Sequence, residues 1–313
     1  MSISQINKTS TVENIVPFQV KQAMVALELG KEDNALLNYL DFFSSLIPIQ
    51  QTHFLHVLPS FDAFNNMMRE EGSALISNFE INEEVLDQMK EEVRELIEKK
   101  EIGKYTLDVR EGNPLEELLE DAKDVLPDLV LIGQQSNVGE HGILAKNLAR
   151  RTRSNALVVP EKAKKEIKNI LVPVDFSSYS AKALQTAVAL KGQIGEEVKI
   201  TCVHIYKMPD LSVYRVQKTF QQFQKMVEGD RMEAFNAFIR KNAPEYAEDI
   251  KLHLIHQEEP GIAHYLLQYA QEINTGLVIM GAKGYSKVEL LLLGSVTEKL
   301  LTLNDKFPTL IVK

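Results

Sequence analysis

A chain of 313 residues is long for one hydrophobic core, since domains commonly run to ~100–200 residues, so two domains are expected. With 44% hydrophobic and 25% charged residues the composition is that of an ordinary folded chain and excludes disordered or fibrous structure. The formal charge of −9 opposes attraction to nucleic acid and to anionic membranes, which are bound chiefly through Lys and Arg, so neither is expected as a partner.

From the N-terminus, MSISQINKTS lacks the basic and apolar regions of a signal peptide, and the single cysteine, Cys202, cannot form an intramolecular disulfide; a reducing, cytoplasmic setting is expected. VALEL (Val25 to Leu29) and HFLHVL (His53 to Leu58) are short apolar runs of strand type. From Pro59 to Lys100 the chain starts irregularly, in a stretch that could cover a ligand, and becomes helical in period around Val85 to Ile97. The alternating charges of Glu91 to Glu101 read as a solvated helix face. A helical segment from Asn113 (NPLEELLEDA), the run LVLIG ending at Gly133 and the run NALVV follow. The Lys-rich stretch Pro160 to Lys168 reads as a linker, dividing the chain into 1–162 and 166–313. Beyond it the strand candidates are Asn169 to Val174, Val198 to Ile205, Ile250 to Ile255, Leu277 to Met280 and Thr309 to Val312. Between the second and third of these, Pro209 to Asn242 repeats the pattern of an irregular start and a helix, here around Phe220 to Ile239. No apolar run, Leu290 to Leu293 included, approaches the ~20 residues that cross a bilayer, so membrane insertion is not expected.

The elements repeat. VALEL returns as VPVDF (Val172 to Phe176), HFLHVL as TCVHIY, NPLEELLEDA as EPGIAHYLLQYA from Glu259, and LVLIG as LVIMG ending at Gly281, at offsets of 147, 148, 146 and 148. A period this long means duplicated domains, because solenoid repeats run to ~20–50 residues. Runs apolar on both faces, alternating with helices, predict two doubly wound, open, parallel five-stranded sheets of Rossmann-like type with strand order 3-2-1-4-5. The last strand of each copy would leave an apolar edge, so the halves are expected to pair through those edges about a pseudo-twofold axis. Dimerisation of whole chains is left open beside it.

In such sheets ligands bind outside the carboxyl ends of the strands where strand order reverses, between strands 1 and 4. In the second copy these strands end in Asp175 and Gly281. The phrase GAKGYSKVELLLLGSVTEKLL follows, in which Gly281 and Gly284 leave backbone N–H groups open to phosphate oxygens. Gly294 opens a helix, and Ser295 with Glu298 has capping-box spacing, so the N–H groups of Ser295, Val296 and Thr297 suit an anion. Asp175 could then meet a ribose hydroxyl or the adenine amino group, and the strand near Ile205 offers backbone groups to the base. The plainer alternative is that the glycines only make turns and that Asp175 and Ser295 only cap helices. The pattern is neither a P-loop nor a GxGxxG turn after strand 1.

VPVDFSSYSAKAL and MGAKGYSKVELLLLGSVTEKLL resemble the universal stress proteins, whose ATP-binding members carry G-x2-G-x9-G-[ST] after the fourth strand and an Asp ending the first. The resemblance implies adenine and ribose contacts from Pro173, Val174, Asp175 and Ile205. It implies phosphate contacts from Gly281, Gly284, Gly294, Ser295, Val296 and Thr297, with Met280 bordering the pocket. The implied ligand is ATP, or AMP after hydrolysis, with any Mg²⁺ held by phosphates and water.

The first copy departs from this pattern. Glu28 replaces the Asp, Ser136 the second glycine, and only eight residues separate Gly133 from Gly142 where twelve separate Gly281 from Gly294. Lys31, Glu32 and Asp33 stand where the second copy has Ser178, Tyr179 and Ser180. A closed pocket is expected there, the alternative being a different ligand fitted to a reshaped loop.

His53 and His56, like His253 and His256, are three residues apart and would face opposite sides of a strand, so neither pair can chelate one ion. Cys202 and His204 share a face but lack the third ligand that zinc requires. Recurrence of His56 as His204 points to packing or to a turn hydrogen bond near the pocket. No metal site is expected. No catalytic constellation stands out, so a stress-response switch that binds nucleotide is expected, against a nucleotide-free interaction module or a slow ATPase.

Overall fold

In a parallel sheet covered on both sides, alternate side chains of each strand enter different cores, so every strand position is buried and the runs are continuously apolar. In the computed structural model, which describes residues 15–31, 33–59, 78–99, 102–134, 141–209, 219–284 and 293–313, β1 (Val20–Leu27) behaves in this way. Val25 and Leu27 enter one core, Met24 and Ala26 the other. The first half continues with α1 (Asp33–Leu46), β2 (Ile49–Leu58), α2 (Asn78–Lys99), β3 (Lys104–Glu111), α3 (Pro114–Val125), β4 (Leu129–Gln134), α4 (His141–Arg151) and β5 (Asn155–Pro160). The second half repeats the series as β6 (Asn169–Pro173), α5 (Ser178–Ile194), β7 (Lys199–Tyr206), α6 (Phe220–Asn242), β8 (Lys251–His256), α7 (Ile262–Glu272), β9 (Leu277–Gly281), α8 (Ser295–Leu303) and β10 (Thr309–Val312).

The strands lie in the order β3-β2-β1-β4-β5-β10-β9-β6-β7-β8. Each half is therefore a parallel five-stranded sheet of order 3-2-1-4-5, and the two are continuous across β5 and β10, which run antiparallel with Leu310 opposite Leu157. Both of these leucines are fully buried. Helices α1, α2, α5 and α6 cover one face; α3, α4, α7 and α8 cover the other. The core under α3, α4 and α8 draws Leu118 and Leu148 from one half and Leu293 and Leu301 from the other. Gln134 Nε2 also donates to the Leu301 carbonyl at 2.6 Å, and Lys313 Nζ to the Ala149 carbonyl at 2.6 Å.

Duplication extends to single backbone angles. Leu29 (φ 56°) and Phe176 (φ 64°) are both left-handed, and so are Leu126 (φ 49°) and Asn274 (φ 50°), at the same places in the two halves. Left-handed Leu29 ends β1 at Leu27, two residues before the end of the apolar run. Helices α3 and α7 begin at Pro114 and Ile262, an offset of 148, so the sequence match at 146, which set Pro114 against Pro260, is corrected. The segment after β5 is polar but anchored: Ile167 is buried, and Lys162 pairs with Asp305 at 2.7 Å. Among the described residues no helix is long and apolar enough to cross a membrane.

Candidate functional site

Strand β6 ends at Pro173, and Val174 continues its line by donating its N–H to the Val203 carbonyl at 2.8 Å. Asp175 follows at the strand tip, where its Oδ1 accepts the Ser177 N–H at 3.0 Å. Ser177, not Asp175, is the N-cap of α5, accepting the Ser180 N–H through its hydroxyl. Asp175 therefore shapes the turn while standing at the mouth between β6 and β9.

Across the switch point β9 ends at Gly281, which cannot carry a side chain: an added Cβ would lie 2.7–2.8 Å from backbone and Cβ atoms of Tyr179. Because those atoms belong to the start of α5, they cannot swing aside. Gly281→Ala is expected to cost about 1–3 kcal/mol in urea unfolding, as other overpacking changes do.

The loop from Gly281 to Gly294 is pinned at its base. Gly294 N donates to the Ala282 carbonyl at 2.7 Å, and Thr297 Oγ1 to the Gly281 carbonyl at 3.2 Å. Gly294 is the N-cap of α8 and Ser295 its first helical residue. The expected capping box does not form, because Ser295 in the first helical position sets Glu298 one place too far along. Among the described residues no side chain caps α8, so its first N–H groups keep their capacity for an external acceptor.

All eleven residues singled out in the sequence line one cavity of about 240 Å³. Pro173, Val174, Ile205 and Met280 form its apolar end; Asp175, Gly281, Gly284 and Gly294 to Thr297 form its polar end. Ser180, Val203, His204, Ile262, Leu266 and Lys283 complete the lining. Ile262 and Leu266 were hidden in the ordinary apolar face of α7, and Lys283 in the glycine phrase itself. Lys313, whose pKa is pushed down to about 8 by burial and by Lys283, lies outside the described lining with its Nζ on the Ala149 carbonyl. His204 donates Nδ1–H to the Val174 carbonyl at 2.8 Å, and burial lowers its pKa. His56 makes the equivalent bond to the Leu27 carbonyl at 2.9 Å, which gives the repeated histidine its physical reason: it ties strand 2 to the tip of strand 1.

The first half holds a cavity too, of about 340 Å³, so the expected closed pocket is corrected. The walls come from β1, β2, β4 and α3, which a shortened loop does not displace. Glu28 lines it, and Asp33, expected at an entrance, is buried and lines it as well. Ser136 and Glu32 lie outside the described residues. Gly142, the counterpart of Gly294, has nothing within 4 Å of where a Cβ would be, whereas at Gly294 the Ala282 carbonyl and the Gly284 nitrogen lie at 3.5 and 3.6 Å.

His53 and His56 diverge as strand alternation requires. His53 Nε2 lies 3.0 Å from Asp121 Oδ2, and its Nδ1 contacts Thr106 Oγ1 at 2.7 Å. His53, Asp108 and Asp121 bring one ligand atom each within 4.8 Å of one another, a grouping that residues far apart in sequence conceal. Arg110 bonds Asp121 Oδ1 at 2.7 Å and neutralises it from within. Cys202 is fully buried, which raises its thiol pKa, and His253 stacks on Tyr269 with ring centroids 4.0 Å apart.

Residues 166–313 match the model of the universal stress protein family. Universal stress protein YxiE of Bacillus subtilis is 28% identical over 154 residues, 46% of this chain and 97% of that protein. A universal stress protein of Methanocaldococcus jannaschii is 29% identical over 157 residues, 47% of this chain and 94% of that one. A solved universal stress protein from Archaeoglobus fulgidus superposes with a TM-score of 0.60 at 17% identity, covering 96% of this chain and 98% of that one, which extends the likeness in fold to both halves. The strand order, the glycine loop and these relatives all point to the universal stress protein family, whose model matches residues 166–313.

Proposed function

We propose that the C-terminal half binds ATP, or the AMP left after its hydrolysis, and that occupancy changes the conformation or partner affinity of the chain, making it a stress-response switch. The observation that carries this reading is the gathering of all eleven positions around one cavity at the switch point, apolar at one end and rich in backbone donors at the other. A purine fits between Pro173, Ile205, Leu266 and Met280. Asp175 takes a ribose hydroxyl or the adenine amino group. The phosphates lie against Gly281, Gly284 and the uncapped start of α8, where the helix dipole favours negative charge. Lys283 adds positive potential. Asp175 is the one carboxylate in the described lining, so Mg²⁺ would be held mainly by phosphate oxygens and water.

The division into domains at 1–162 and 166–313, their association in solution through β5 and β10, and a cytoplasmic setting belong to the same proposal. Burial of the only cysteine suits a reducing compartment.

The test is calorimetric titration of ATP into the wild type and Asp175→Ala, with thermal unfolding to verify the fold. About tenfold weaker binding by the variant is expected from the loss of a hydrogen bond to a charged group. No binding by the wild type, or equal binding by both, would favour the nucleotide-free interaction module. Steady release of phosphate above the buffer rate would add a slow ATPase to the reading.

A further inference from the structure

The cavity of the first half keeps one end of the site and inverts the other. Ala26, Leu27, Leu55, Val57, Leu118 and Ile132 line it at the places held in the second half by Pro173, Val174, Val203, Ile205, Leu266 and Met280. The apolar end is thus retained. At the polar end Glu28 stands for Asp175, Asp33 for Ser180, and Glu161 is added, while no lysine or arginine is in the described lining. Leu144 takes the place of Val296.

Gln134 also lines the cavity and is 8% exposed, with its Nε2 bonded to the Leu301 carbonyl of the other half. At about 340 Å³ the cavity is within the range of small-molecule sites, roughly 300–1,000 Å³.

We propose that this cavity is a second ligand site, for a small molecule that joins an apolar ring to a protonated amine, and that it rejects phosphorylated and carboxylated compounds. The ring lies between Leu55, Leu118 and Ile132, and the ammonium faces Glu28, Asp33 and Glu161. The carboxylates of Glu28 and, at the exposed rim, Glu161 attract a cation and repel an anion, and a cation lodged there favours ionisation of the buried Asp33. The first half would in this way read a different class of metabolite from the second, and nothing in the proposal depends on ATP binding in the other half.

The chain contains no tryptophan, so indole emission reports a ligand alone. Tryptamine, tryptophol and indole-3-acetate share one ring and carry a positive, a neutral and a negative head. Fluorescence anisotropy titrations on the full chain at neutral pH should rank them in that order, with the first and last separated by about tenfold or more. Glu28→Gln with Glu161→Gln should weaken tryptamine by about tenfold and compress the ranking, whereas Gly294→Val should leave it unchanged. Thermal unfolding of each variant confirms that it is folded. Absence of tryptamine binding to about 1 mM, a weak-binding limit near −4 kcal/mol, would overturn the proposal. Equal affinity for the three compounds, or loss on Gly294→Val but not on the carboxylate changes, would do the same.

Discussion

Replacing Gly294 with valine should weaken ATP binding by about a hundredfold and leave the chain folded, since two charge-assisted hydrogen bonds at about 1.5–3 kcal/mol each are at stake. The two effects separate because Gly294 has φ −71° and ψ 147°, angles open to any residue, and because its Cβ would make only ordinary contacts of 3.5–3.6 Å. The branched methyls must extend beyond that point, among Ala282, Lys283 and Gly284, into the space a phosphate needs against the start of α8. Gly281 offers no such separation, since a Cβ there strikes Tyr179. Calorimetry with ATP, run beside urea unfolding, reads both quantities. A folded variant that binds ATP as the wild type does would remove the phosphate end of the proposed site. Loss of binding together with a large loss of stability would show that Gly294 is needed for the fold, against the geometry.

The parts of the molecule that were legible in the sequence are those where one residue type has one physical reason to be there. Strands β6 to β10 were located to within a residue or so because runs such as ILVPV and LVIM must be apolar on both faces of a covered sheet. The glycine phrase was legible because at its first position, Gly281, close backbone approach admits no Cβ. Strand β3, KYTLDVRE, had no such signal: it is an edge strand, half exposed, and its pattern is that of a surface. The first-half cavity was misjudged because loop length bears on the path of a phosphate chain, whereas the walls are built by β1, β2, β4 and α3. Ser295 misled in another way, since a capping box is recognised by spacing, and the same spacing shifted by one place caps nothing. The cluster of His53, Arg110 and Asp121 joins two strands and a helix, and no local pattern announces it.

Asp33 carries the second large expectation. Its Oδ2 accepts the N–H groups of Glu28 at 2.9 Å and Leu29 at 2.8 Å, holding the left-handed turn after β1. Burial nevertheless dominates and, with Glu92 on α2 and Glu28 beside it, raises its pKa from 3.8 to about 7. Below the unfolded value both states are protonated and the contribution to stability is fully present. Between pH 3.8 and about 7 the native state holds a proton that the unfolded chain has released, so stability falls as pH rises through that window and levels off above it. A rise from 3.8 to about 7 corresponds to roughly 4 kcal/mol at its limit. Asp33→Asn keeps an oxygen acceptor for the turn and removes the titration. Its stability relative to the wild type should therefore improve steadily from pH 4 to pH 7, by a few kcal/mol, in urea unfolding at a series of pH values. Parallel curves for the two proteins would mean that Asp33 is ionised at little cost, its two N–H donors outweighing its burial. A widening gap would show that burial, with Glu92 and Glu28, keeps Asp33 protonated at pH values where an exposed carboxyl has released its proton.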